Sequence, residues 1–168
     1  MSKKAGPKKA KKTLTHFDDK GNAHMVDVSA KAATVREAIA KGSVFMEAAT
    51  LKLIKARKVK KGDVLGVAQL AGIQAAKRTP DMIPLCHSIA LSSVKVDLVL
   101  DSKTKAVHIT ATCKVTGQTG VEMEALTAVS AAALTVYDMC KSADRGMRIS
   151  DIRLAKKSGG KSGTFEQK

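Results

Sequence analysis

Aromatic residues are nearly missing from this 168-residue chain, which has no tryptophan, one tyrosine and three phenylalanines. That scarcity argues against a single-stranded nucleic-acid binder, because such proteins stack bases on aromatic platforms. Cysteine is sparse too, and Cys86, Cys113 and Cys140 form an odd number without paired spacing. A disulfide framework and a zinc ribbon are therefore disfavoured, and a reducing cytoplasmic setting is expected. No apolar run reaches the roughly 18 residues of a membrane span, and the N-terminal "MSKKAGPKKAKK" lacks the apolar segment of a secretory signal. Acidic residues number half the basic ones, 15 against 30.

With 44% apolar residues and so few rings, the core must be built from Ala, Val, Leu, Ile and Met. Small side chains permit close backbone packing, and an Ala-rich helix often needs a partner surface to bury enough area. The excess charge of +15 gathers at the ends. Residues 1–12 hold six lysines and no acid, and residues 141–168 hold eight basic and three acidic residues. A polyanionic partner follows from that balance, either a polyphosphate or nucleic acid.

Residues 1–12 read as a disordered basic tail. "HMVDVS" (24–29) suits a short strand or an extended arm. From Val35 to Met46 the small and apolar residues Ala38, Ala40, Gly42, Val44 and Met46 share one parity, which favours a strand. A helix competes there, because Thr34 and Glu37 have capping-box spacing. Residues 48–57 are helical in pattern, and "KKGD" (60–63) then breaks the chain. Asp63 can N-cap a helix running to about Arg78. Pro80 and Pro84 end it and hold "PDMIPLCHS" as a loop. Residues 91–100 and 105–116 alternate around "DSKT" and predict a hairpin. A helix over 121–142 follows, with Thr119 and Glu122 spaced as a capping box, and then a last strand over 148–156. The order βαββαβ predicts an α+β ferredoxin-like sandwich, an antiparallel sheet with helices packed on one face.

The long helix carries the most chemistry. Asp138 and Lys141 are three apart and so neighbours on one face. Glu124 and Thr127 fall near the same angular line, whereas Glu122 lies on the far side and reads as a cap. A carboxylate and a lysine on an apolar helix make either a structural ion pair or an acid/base pair. Partial burial would raise the carboxyl pKa and lower that of the lysine, moving both toward neutral. His87 follows a proline-constrained loop and could meet a phosphate or a ring edge, or simply face solvent. Cys86 reads as a small buried group rather than a nucleophile, because no base adjoins it. Lys60 and Lys61 could cap the preceding helix or clamp a phosphate. The C-terminal "KKSGGKSG" (156–163) ends like a P-loop, yet Ala155 stands where its first glycine is required. It remains an anion-wrapping nest with lysines around it, or a frayed tail.

Seven segments taken together, "HMVDVS", "KKGDV", "AGIQAAKRT", "IPLCH", "TGVEMEALTA", "YDMCK" and "KSGGKSG", resemble the cyclic pyranopterin monophosphate synthase family of molybdenum cofactor biosynthesis. The resemblance spans about residues 14–165. It implies a single catalytic domain over 13–168 with a flexible basic segment at 156–168. It further implies a lyase that converts cyclised dihydro-GTP to cyclic pyranopterin monophosphate and releases diphosphate, with no metal or organic cofactor. Homohexamers with active sites at dimer interfaces are implied as well. By the same resemblance Asp138, Lys141 and Lys61 are catalytic, and Leu85, Cys86, His87, Met123, Glu124 and Lys157 contact substrate. The chain departs from the family pattern at Ser88, where proline is usual, and at Pro80, where an aromatic is common. The rival reading is a non-catalytic polyanion or RNA-binding protein, motivated by the charge and by both tails.

Overall fold

A computed structural model describes residues 16–18 and 20–167; the lysine-rich stretch 1–12 lies outside the described residues. Its elements are β1 (Thr34–Phe45), α1 (Ala48–Lys55), α2 (Val64–Lys77), α3 (Thr79–Met82), β2 (Ser93–Asp101), β3 (Ala106–Gly117), α4 (Glu122–Cys140), β4 (Arg148–Ser158) and β5 (Phe165–Glu166). The strands form one antiparallel sheet in the order β2-β3-β1-β4-β5. The first four strands have the ferredoxin-like arrangement, and β5 is a short addition beyond β4.

Parity decides which face of the sheet is covered. Ala38, Ala40 and Val44 of β1 and Val107, Ile109, Ala111 and Cys113 of β3 are buried on the face that α4 covers, while α2 packs on α4 and β2. The small-residue strand therefore forms as expected, and the competing helix does not. Between the two long helices the contact is closer still. Gly72 of α2 lies against the Ala128 carbonyl and Ala132 of α4, where a side chain would collide. Small residues on both helices make that approach possible.

Asp63 caps α2 as expected, its carboxylate accepting the Gly66 amide at 3.1 Å. Two local expectations are corrected. The loop after α2 begins with one helical turn, Thr79–Met82, because Pro80 in a first turn loses no intrahelical hydrogen bond. The capping box at α4 does not form: Val121 occupies the cap, and no side chain bonds there. Glu122 instead pairs with Lys157 of β4 at 2.8 Å, a charged partner that a backbone amide cannot match. Residues 24–29 run as an extended arm outside the sheet, beside an isolated bridge between Phe17 and Ala23. No helix is long and apolar enough to cross a membrane, among the described residues.

Candidate functional site

Polar groups concentrate at the two ends of α4. At its N-terminal end two clefts adjoin, sharing Lys31, Thr119, Gly120 and Glu122. One, of about 620 Å³, is lined by Leu85, Cys86, His87, Met123 and Glu124, together with His16, Val26 and Val28 from the N-terminal arm. Five of the six residues expected to contact substrate thus share a wall. The sixth, Lys157, lines the neighbouring cleft of about 570 Å³ with Arg36 and residues 158–162.

Glu124 is the most unusual group in the first cleft. Its side chain is only 2% exposed, and its Oε1 has no hydrogen-bond partner from the protein. Burial pushes its carboxyl up from 4.5 to about 7, with Glu122 adding to the rise. A ligand that donates hydrogen bonds would complete this atom. His87 is half-buried, and its Nε2 donates to the Val26 carbonyl at 2.7 Å. A carbonyl only accepts, so Nε2 carries the hydrogen and a neutral ring keeps Nδ1 as an acceptor. The solvent-facing reading of His87 is thereby set aside. Burial and then Glu124 and Glu122 raise the Cys86 thiol, which agrees with a packing role.

The second cleft is cationic and built on glycine. β4 runs on to Ser158, and residues 159–164 turn the chain back into β5. Gly159 has φ +95° and Gly160 φ +73°; side chains there would strike the Val35 carbonyl and the Arg36 guanidinium. Lys31, Arg36, Lys157 and Lys161 all border this cleft. Arg36 is held by the carbonyls of Gly117 and Gln118 at 2.9 and 3.1 Å. Its role escaped the sequence reading, although a signal existed: it shares the buried parity of Ala38 and Ala40. Thr34 Oγ1 is a further buried oxygen without a protein partner on this wall. The arm residues were missed because nothing local ties 16–28 to the 83–89 loop.

At the other end of α4, Asp138 sits between two lysines. Lys61 Nζ approaches one carboxylate oxygen at 2.6 Å and also donates to the Asp138 carbonyl at 3.0 Å, while Lys141 reaches the other oxygen at 2.7 Å. All three expected catalytic residues are brought together. Their ionisation runs against the sequence reading. Asp138 is 54% exposed, so its two cations prevail over desolvation and lower its carboxyl to about 2; the Lys141 amine is raised by the same pair. The groups are pushed apart, not toward neutrality. Lys61 caps the last turn of α4 and not α1, whose end is closed by its own backbone: Arg57 N bonds Ile54 O and Lys58 N bonds Leu53 O.

Glu124 and Asp138 share a line along α4 but lie fourteen residues apart, about 21 Å along the axis. One small molecule cannot touch both within one copy.

The fold and these two polar ends define a ferredoxin-like α+β protein with a ring-sized cleft, a cationic cleft and a separate carboxylate–lysine cluster. Residues 25–160 match the MoaC family. The chain belongs to that family. It is 65% identical over 152 residues to the cyclic pyranopterin monophosphate synthase of Rhodospirillum rubrum, covering 90% of this chain and 92% of that one. It is also 62% identical over 159 residues to the synthase of the same name from Parvibaculum lavamentivorans, covering 95% and 99%. The like-named protein of Heliobacterium modesticaldum is 58% identical over 152 residues, covering 90% and 96%.

Proposed function

We propose that this protein converts cyclised dihydro-GTP to cyclic pyranopterin monophosphate with release of diphosphate, a step of molybdenum cofactor biosynthesis. The observation that carries the chemistry is Asp138 held between Lys61 and Lys141 at 2.6 and 2.7 Å, an acceptor flanked by two donors. General acid/base rearrangement of a ring needs both kinds of group at one place. The Glu124 cleft suits the donor-rich edge of the purine-derived ring, with Leu85, Cys86, His87 and Met123 as its walls. Lys157, Arg36 and the glycine turn suit the triphosphate. A pure polyanion binder leaves the buried, unpaired Glu124 without a purpose.

Following diphosphate release and pterin formation together tests the reaction. Wild type forms both products and Asp138→Asn forms neither; a wild type that forms neither overturns the assignment.

The 21 Å between the two groups supports a composite site, with Glu124 from one copy and Asp138 from another. This is the reading under which the chain works as a homo-oligomer, a hexamer arranged as a trimer of dimers with interfacial sites, and as a cytoplasmic lyase. Mixing Glu124→Gln and Asp138→Asn subunits after joint unfolding and refolding checks it. Each variant alone is inactive, and a random equal mixture regains about a quarter of wild-type activity, since one site in four draws both intact residues. Activity that stays absent in verified mixed oligomers refutes the composite site.

A further inference from the structure

Fifteen residues from Ala48 to Gly62 contain six cations and no acid: Lys52, Lys55, Arg57, Lys58, Lys60 and Lys61. All six are exposed, on the outer side of α1 and on the loop that follows it. Lys61 pairs with Asp138; no described carboxylate lies within ion-pair distance of the other five. The surface borders the carboxylate–lysine cluster directly. Lys58 and Lys60 line a small hollow of about 170 Å³ whose opposite wall is Cys140 and Ser142, on either side of Lys141.

A helix C-terminus attracts cations, and Lys52 and Lys55 alone would satisfy it. Arg57 needs another explanation. It occupies the left-handed closing position of α1, with φ 53°. The paired bonds from Arg57 N and Lys58 N to the Ile54 and Leu53 carbonyls complete a motif that glycine fills most easily. A branched cationic side chain is kept there at a conformational cost that glycine would not carry.

We propose that Lys52, Lys55, Arg57 and Lys58 form an electrostatic collar that steers the polyanionic substrate toward the site bordered by Lys61 and Asp138. The inference rests on the proposed reaction for its ligand but not for its test. Four unpaired charges beside a site act on a multiply charged anion over a Debye length, and act less as salt shortens that length. They contribute to capture and touch no reacting atom.

The test compares wild type with Arg57→Gly and with a quadruple variant, Lys52→Gln, Lys55→Gln, Arg57→Gly and Lys58→Gln. In the quadruple variant KM rises on the order of tenfold at low ionic strength with kcat unchanged, and the gap closes near 1 M salt. Arg57→Gly by itself raises KM in the same salt-dependent way while its melting temperature equals or exceeds that of wild type. Calorimetric binding of inorganic triphosphate gives a reading independent of turnover. If wild type fails to turn over substrate yet the quadruple variant binds triphosphate more weakly, the reaction assignment has failed and the collar stands. Unchanged salt slopes and triphosphate affinity overturn the collar. The collar is overturned too if the variants lose duplex DNA binding while triphosphate binding persists, since the patch then serves nucleic acid.

Discussion

Glu124→Gln tests the buried carboxyl of the ring cleft through stability alone. In the folded protein the group keeps its proton up to about pH 7, whereas the unfolded chain releases it near 4.5. Between those values the folded state binds the extra proton, so folding stability falls as pH rises through the window. Moving the carboxyl from 4.5 to about 7 corresponds to about 3 kcal/mol, present in full only above the higher value. Glutamine has no such penalty, although its buried amide adds a constant offset of about 1–3 kcal/mol wherever its donors lack partners. The decisive quantity is therefore the change in the difference between variant and wild type, not its absolute size. Urea unfolding from about pH 4.5 to about pH 8.5 should show the variant gaining about 3 kcal/mol relative to wild type as pH increases, then levelling. Glu122 and Lys157 remain in both proteins, and the part of the rise that Glu122 adds is contained in the same difference. A difference constant within about 0.5 kcal/mol across that range would refute the argument that burial governs this carboxyl.

Two further substitutions probe the frame that holds the site. Asp144→Ala removes a buried carboxylate that accepts from the Glu47 amide at 2.8 Å, the Thr50 hydroxyl at 3.3 Å and the Gly146 amide at 2.9 Å. Because it accepts the Glu47 amide at the start of α1 from outside the helix, its loss should cost about 1–2 kcal/mol in urea unfolding, and the cost should disappear from Asp144→Asn in part, since that residue also caps. Gly72→Ala places a Cβ 2.9 Å from the Ala128 carbonyl across the α2–α4 contact. Equilibrium unfolding should register a loss of about 1–3 kcal/mol from overpacking.

Much of the fold was legible because periodicity in this sequence is clean. β1 declared itself by small residues at alternate positions, and β2 and β3 by alternation around a polar turn. The helix termini were less legible, because a cap is a competition. Thr119 and Glu122 had the spacing of a capping box, but Lys157, thirty-five residues away, held the stronger offer for Glu122. No window of local sequence contains that rival. Which candidate residues would lie near one another was partly legible in the sequence; their electrostatics were not. Helical spacing joined Asp138 to Lys141, the larger cause of its acidity, but no local spacing foretold Lys61 as the second cation. Angular position on a helix also conceals distance, so Glu124 and Asp138 appeared as neighbours along one line although the axis separates them by about 21 Å.

That separation has its own physical logic in α4. The helix dipole favours acids at the N-terminus and cations at the C-terminus, each by a fraction of a kcal/mol to about 1 kcal/mol. Glu122 and Glu124 obey the rule; Asp138, in the last turn, violates it. Lys61 resolves the violation by bonding the Asp138 carbonyl and its carboxylate together, so one ammonium answers both the backbone and the side chain. Burial sets Glu124 and cations set Asp138, which places one carboxyl near neutrality and the other far below it at opposite ends of one element. Two carboxyls separated in acidity can divide the work between a group that holds a proton and one that accepts it. The apolar middle of α4, rich in alanine and closely packed on α2, keeps those two environments from merging. Under the proposed composite reading, a site that uses both is assembled across copies, and the rigidity of the helix sets the span between them.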